Sequence, residues 1–131
     1  MRLTNSIYYL VLLGGCAGVD EVAKQPVDAT VESTLAAKVV ASCIDRNADN
    51  LDAMRSKIRE LGTDKYEVLI VSVAQPGFVG AIVTVQSTAN GSQLQFRFGS
   101  PYAIAERRTP GVYIDKLTAN CRWVPSALGK P

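Results

Sequence analysis

The side chains best equipped for chemistry in this chain are three thiols, at Cys16, Cys43 and Cys121, and they have no imidazole to work with, because its 131 residues include no histidine. That absence removes the Ser-His and Cys-His nucleophile pairs, the commonest proton shuttle near neutral pH and most transition-metal sites. Asp64, Glu67, Glu106, Arg107 and Arg108 have acid-base side chains, but a general acid or base needs a partner, a pocket and a shifted pKa, none of which the sequence shows. There is no Gly-rich phosphate loop, Gly-x-Ser-x-Gly elbow, Cys-x-x-Cys pair or Ser-x-x-Lys nucleophile, so a non-catalytic role is expected. Asp45, Asn47, Asp49 and Asn50 echo the opening of a calcium loop. The echo fails at the sixth position, which is Asn50 rather than Gly, and at the twelfth, where Ser56 stands in place of a bidentate Glu. Polar residues joining two helices, with Asp49 or Asn50 capping the second, explain the same letters, so neither metal nor cofactor is expected.

The thiol with the clearest chemical setting is Cys16. Met1 and Arg2 open the chain, an apolar run covers residues 7–13, and Gly14 and Gly15 follow. A charged start, a short apolar middle and small residues at a cut site form a secretory signal. The run falls short of the roughly 20 residues that a helix needs to cross a bilayer core. Leu13-Gly14-Gly15-Cys16 resembles the lipobox of bacterial lipoproteins. The resemblance implies that residues 1–15 are removed, that Cys16 takes a diacylglyceryl thioether, and that its new amino group is acylated too, with palmitate among the usual chains. Two or more chains make stable anchoring, at roughly 0.8 kcal/mol per buried methylene. In such proteins an Asp after the Cys favours the inner membrane; Ala17 here points to the outer membrane, facing the periplasm. The alternative is an ordinary cleaved signal with Cys16 incidental.

Composition sets the scale of what is tethered. The length suits a single domain, taken as residues 31–131 behind a flexible tether over residues 16–30. Fourteen Lys and Arg interspersed with twelve Asp and Glu give a net charge of +2 and no dense cationic tract, which argues against nucleic acid as a partner. With Cys16 set aside, Cys43 and Cys121 form an even pair, and export places them where thiols oxidise, so a disulfide is predicted; two free thiols are the alternative.

Periodicity then suggests how these cysteines are positioned. Over residues 31–45, Leu35, Ala36, Val39, Val40 and Cys43 share one helical face, and Leu51, Met54, Ile58 and Leu61 repeat the pattern up to Gly62. Two helices, or one broken between Asn47 and Asn50, are expected. Strands follow at residues 66–73, 79–88 and 93–98. Asn90-Gly91 predicts a two-residue type I′ hairpin, pairing Ser87 with Leu94, Val85 with Phe96 and Val83 with Phe98 on a greasy face. The same Asn90-Gly91-Ser92 fits a glycosylation acceptor pattern, for which turn chemistry is the better account. Thr109-Pro110 reads as a cap and first-turn proline for a last helix through Tyr113, Leu117 and Cys121, with a strand over residues 112–117 as the competing reading.

The expected fold is therefore α+β, with helices packed on one face of a three-stranded antiparallel sheet and the disulfide joining the first helix to the last. The mature region resembles small proteobacterial lipoproteins, through Cys43-Ile44 on a helix, the Asn90-Gly91-Ser92 hairpin and the late Cys121. That resemblance implies an α+β fold and supplies no catalytic residues. Candidate contact residues for an envelope protein partner are Gln93, Gln95 and Arg97 on the wet face of the sheet, together with Arg107, Arg108 and Trp123, whose types are enriched at interfaces. A membrane-anchored periplasmic binding or accessory protein is the expectation. The rival is an inhibitor or immunity factor presenting residues 99–110 as a rigid loop, and an envelope hydrolase is a third class.

Overall fold

A computed structural model describes residues 18–75, 77–100 and 102–122. Its elements run α1 (Val19–Lys24), β1 (Ala29–Ser33), α2 (Ala37–Asp49), β2 (Met54–Gly62), β3 (Lys65–Ser72), β4 (Val79–Thr88), β5 (Gly91–Phe98), α3 (Tyr102–Arg108) and α4 (Val112–Leu117). The strands form one antiparallel sheet of five in the order β1-β5-β4-β3-β2, so the expected three-stranded sheet gains a strand at each edge.

β2 lies where a helix was expected, and β1 straddles the end of the expected tether and the start of the expected first helix. The spacing of Met54 and Ile58 fits a helix, but a separation of four also fits a strand, in which alternate residues share a face. Pairing with β3, from Met54 opposite Ser72 to Gly62 opposite Lys65, supplies the backbone partners that decide between them. Gly62 accordingly stops no helix; it flanks the Thr63-Asp64 turn, where Asp64 takes φ 53°. At the other edge, Val31 belongs to β1 opposite Leu94, and α2 starts only at Ala37. The buried side of α2 is Ala37, Val40, Ala41, Ile44 and Ala48, while Val39, expected inside, is 52% exposed.

The β4–β5 hairpin keeps the expected faces but slips by two residues. Val85 lies opposite Leu94, Val83 opposite Phe96 and Ala81 opposite Phe98. Ala89 and Asn90 form the loop, and the positive φ falls on Gly91, at 145°, rather than on an Asn90-Gly91 pair. An even slip leaves every side chain on its own face, so the hydrophobic pattern cannot detect it.

The main core lies between this face and α2. It gathers Val68 and Ile70 of β3, Val83 and Val85 of β4, and Leu94 and Phe96 of β5 against Val40 and Ile44. α3 and α4 close the end of the core, with Tyr102 edge-on to Tyr113 at a centroid distance of 4.7 Å and its hydroxyl 3.2 Å from Met54 Sδ. Burial, with Tyr113 beside it, pushes the Tyr102 phenol above its usual pKa. The helices are not confined to one face: α1 lies on the other side, where Val22 is fully buried against Val79 and Ile82 and in contact with Leu69 and Val71. The segment read as a leash thus contains a docked helix. Six residues make a marginal helix in isolation, so the packing of Val22 and the helix-favouring placement of Asp20, Glu21 and Lys24 hold it.

Cys43 and Cys121 are disulfide-bonded, with Cα atoms 5.7 Å apart. The bridge starts in α2, the first helix expected from the sequence, and ends just beyond α4 rather than within it.

Candidate functional site

Beyond the apolar patch that α1 covers, the face of the sheet away from α2 is polar and regularly ruled. One row across the strands reads Glu32, Gln93, Gln86 and Lys65; the next reads Thr30, Gln95, Thr84, Glu67 and Arg59. Gln93 and Gln95 therefore stand side by side, as their alternation with buried Leu94 and Phe96 requires. Arg97 shares their face but is already engaged: its Nε donates to Gln25 O at 2.9 Å, gripping the chain after α1. Arg107 and Arg108 are exposed at the end of α3, on a different part of the molecule, and Trp123 lies outside the described residues. So does Cys16.

The flanking strand β2 adds a group that sequence reading missed. Arg55, Lys57 and Arg59 alternate on the open face and are all exposed, with Arg59 Nη2 paired to Glu67 Oε1 at 3.0 Å. Had residues 54–62 been read with a period of two, the three cations would have fallen on one side.

Beside α3 and α4 is a cleft of about 450 Å³ lined by Asp28, Phe98, Glu106, Arg107 and Ile114, among others. Its carboxylates are committed to structure. Glu106 accepts the N–H groups of Gly111 at 3.1 Å and Tyr113 at 2.5 Å, capping α4 in the place expected for Thr109-Pro110. Asp28 accepts the N–H of Phe98 at 2.7 Å. Asp64 sits in the β2–β3 turn, Glu67 pairs with Arg59 and Glu106 caps α4, so the structure does not gather the three acids. Residues 102–108, within the stretch considered as an inhibitory loop, are helical.

The residues resembling a calcium loop lie mostly within α2 and point to different uses. Ser56 Oγ is 2.6 Å from Asp45 Oδ1 and 3.1 Å from Asp49 Oδ1, and Asp49 also accepts the Ser56 N–H at 3.1 Å. Asn47 is directed elsewhere: its Nδ2 donates to Leu117 O at 2.8 Å and Ala119 O at 3.0 Å, alongside the disulfide. Among the described residues, no three His, Cys, Asp or Glu side chains come together to hold a metal ion.

Asn47 thus ties α2 to the segment after α4. Asn47→Ala should cost about 1–2 kcal/mol, the usual penalty for losing such bonds at a partly buried site. Asn47→Asp should cost more near pH 7, because a carboxylate would face two carbonyl oxygens. Its pKa would rise on folding, so the added penalty should vanish below the unfolded-state pKa of about 3.9 and grow as pH rises through it. Urea melts of both variants on either side of that value test the assignment; a pH-independent difference between them would refute it.

Comparison of the chain with known protein families, with curated proteins and with solved structures found no match.

Proposed function

We propose that this chain is a bacterial envelope lipoprotein, anchored through acylated Cys16 after removal of residues 1–15, with its domain held at the periplasmic face of the outer membrane. The observation that carries the reading is the apolar run over residues 7–13 ending in Leu13-Gly14-Gly15-Cys16. The disulfide between Cys43 and Cys121 supports it, because such bridges persist in oxidising compartments.

Within the envelope the protein binds or assists rather than catalyses. The reading rests on acidic groups that are spent on capping, backbone bonds and an ion pair. Tethering raises the local concentration of the domain for an envelope partner. The inhibitor reading loses its candidate loop to helix α3.

Mass spectrometry of the membrane fraction should recover an acylated fragment beginning at Cys16, and Cys16→Ser should move the protein out of the lipid-modified pool. An unprocessed chain with Met1 intact and no acyl mass would overturn the proposal.

A further inference from the structure

The docking of α1 leaves almost no leash. Val22 is buried on the second face of the sheet, Gln25 donates to Phe98 O at 2.7 Å, and Arg97 returns a bond to Gln25 O at 2.9 Å. The Gly18 carbonyl accepts the Val22 N–H at 3.1 Å, and only Ala17 separates Gly18 from Cys16. Two residues reach at most about 7 Å even when extended. An acyl chain on Cys16 would therefore enter the bilayer close to α1, and the sheet face that carries α1 would be held near the headgroups.

That face is electrically uneven. Arg55, Lys57 and Arg59 form a cationic margin along β2 spanning about 13 Å at 3.3 Å per residue. The acids of the same face are Glu67, which Arg59 engages, Glu32 on the far edge strand, and Asp20, Glu21 and Asp28 in and after α1. Positive charge is thus gathered on the side of the sheet away from β1. Guanidinium and ammonium groups bind phosphate oxygens, Arg in a bidentate fork. Attraction to an anionic surface is effective within a Debye length, about 8 Å at physiological ionic strength, which the short link to Cys16 allows.

We propose that the second face of the sheet is turned toward the bilayer, with Arg55, Lys57 and Arg59 resting on anionic phospholipid headgroups. This rests on acylation of Cys16. The opposite side of the molecule, where exposed Lys38 lies on α2, would face the periplasm.

The test uses the full lipid-modified protein, purified from membranes and reconstituted into vesicles of phosphatidylcholine alone or with phosphatidylglycerol. Amine acetylation is followed residue by residue by mass spectrometry. On anionic vesicles Lys57 should react several-fold more slowly than it does in detergent, while Lys38 is unchanged. High salt should restore Lys57, and Arg55→Ser with Arg59→Ser should weaken its protection. Equal Lys57 reactivity on anionic vesicles and in detergent would overturn the orientation alone, since the protein would still float with the vesicles. Failure to float with neutral vesicles would overturn the anchoring reading and the orientation with it. Protection that is equal on neutral and anionic vesicles and grows with protein density would indicate pairing of copies along β2 and would also overturn the proposal.

Discussion

Replacing Cys43 and Cys121 together by Ala is expected to lower the stability of the domain by about 2–4 kcal/mol. The bridge spans a sequence separation of 78 residues, for which loop-closure entropy sets a ceiling of about 4.5 kcal/mol. Residual structure in the unfolded chain lowers the realised value. The native side of the balance is local: the bridge holds the segment after α4 beneath β1, where Ser33 Oγ donates to Cys121 O at 2.7 Å and accepts the Leu35 N–H at 3.1 Å. Without it that segment is held by hydrogen bonds from the Asn47, Ser33 and Thr34 side chains among the described residues. Urea melts of the oxidised protein and the double variant should show a lower midpoint for the variant and a steeper slope, because the unfolded chain expands once the cross-link is gone. Coincident midpoints would show that the bridge contributes nothing to the fold.

Gly91→Ala should be comparably damaging, at about 3 kcal/mol or more. A Cβ at this position would lie 2.1 Å from Ser33 O and 2.8 Å from the Thr34 backbone, and Gly91 has φ 145°. Both obstacles are backbone, so relief requires β1 to lift from β5 where Ser33 opposes Ser92, and Ser92 Oγ would lose its bond to Leu35 O. Gly80→Ala provides the contrast. Its Cβ would meet the Met54 methyl at 2.5 Å and the Tyr102 ring at 3.1 Å, but both are side chains, and the thioether methyl can move while the ring need give by only a few tenths of an ångström. The Gly91 variant should therefore melt far below the Gly80 variant, with hydrogen exchange accelerated along β1 and β5. A Gly91 variant that melts within a few degrees of the parent would refute the close approach of the two strands.

The sequence alone made the central strands legible, and the reason is local. β3 and β4 are rich in β-branched residues, and in β5, which has none, a strict alternation around Leu94 and Phe96 leaves one pattern only. The pairing of Cys43 with Cys121 followed from counting thiols and from the compartment implied by the signal. The candidate surface was partly legible for the same reason: alternation placed Gln93, Gln95 and Arg97 on one face, but could not reveal that Arg97 grips Gln25. The cations of β2 stayed hidden because Met54 and Ile58 satisfy both periodicities.

What tertiary structure decided is the set of elements whose own letters are too few or too ambiguous to choose. A single buried side chain, Val22, makes α1 a helix on the second sheet face instead of a leash. β1 has five residues and exists because β5 offers it partners. The hairpin slipped by an even number, invisible to a pattern of period two, and the contact between Gly91 and the β1 backbone fits the observed register. Local periodicity reports which residues want shelter. Where that shelter lies depends on hydrogen bonds and contacts between segments far apart in the chain, and short edge elements have no other source of stability.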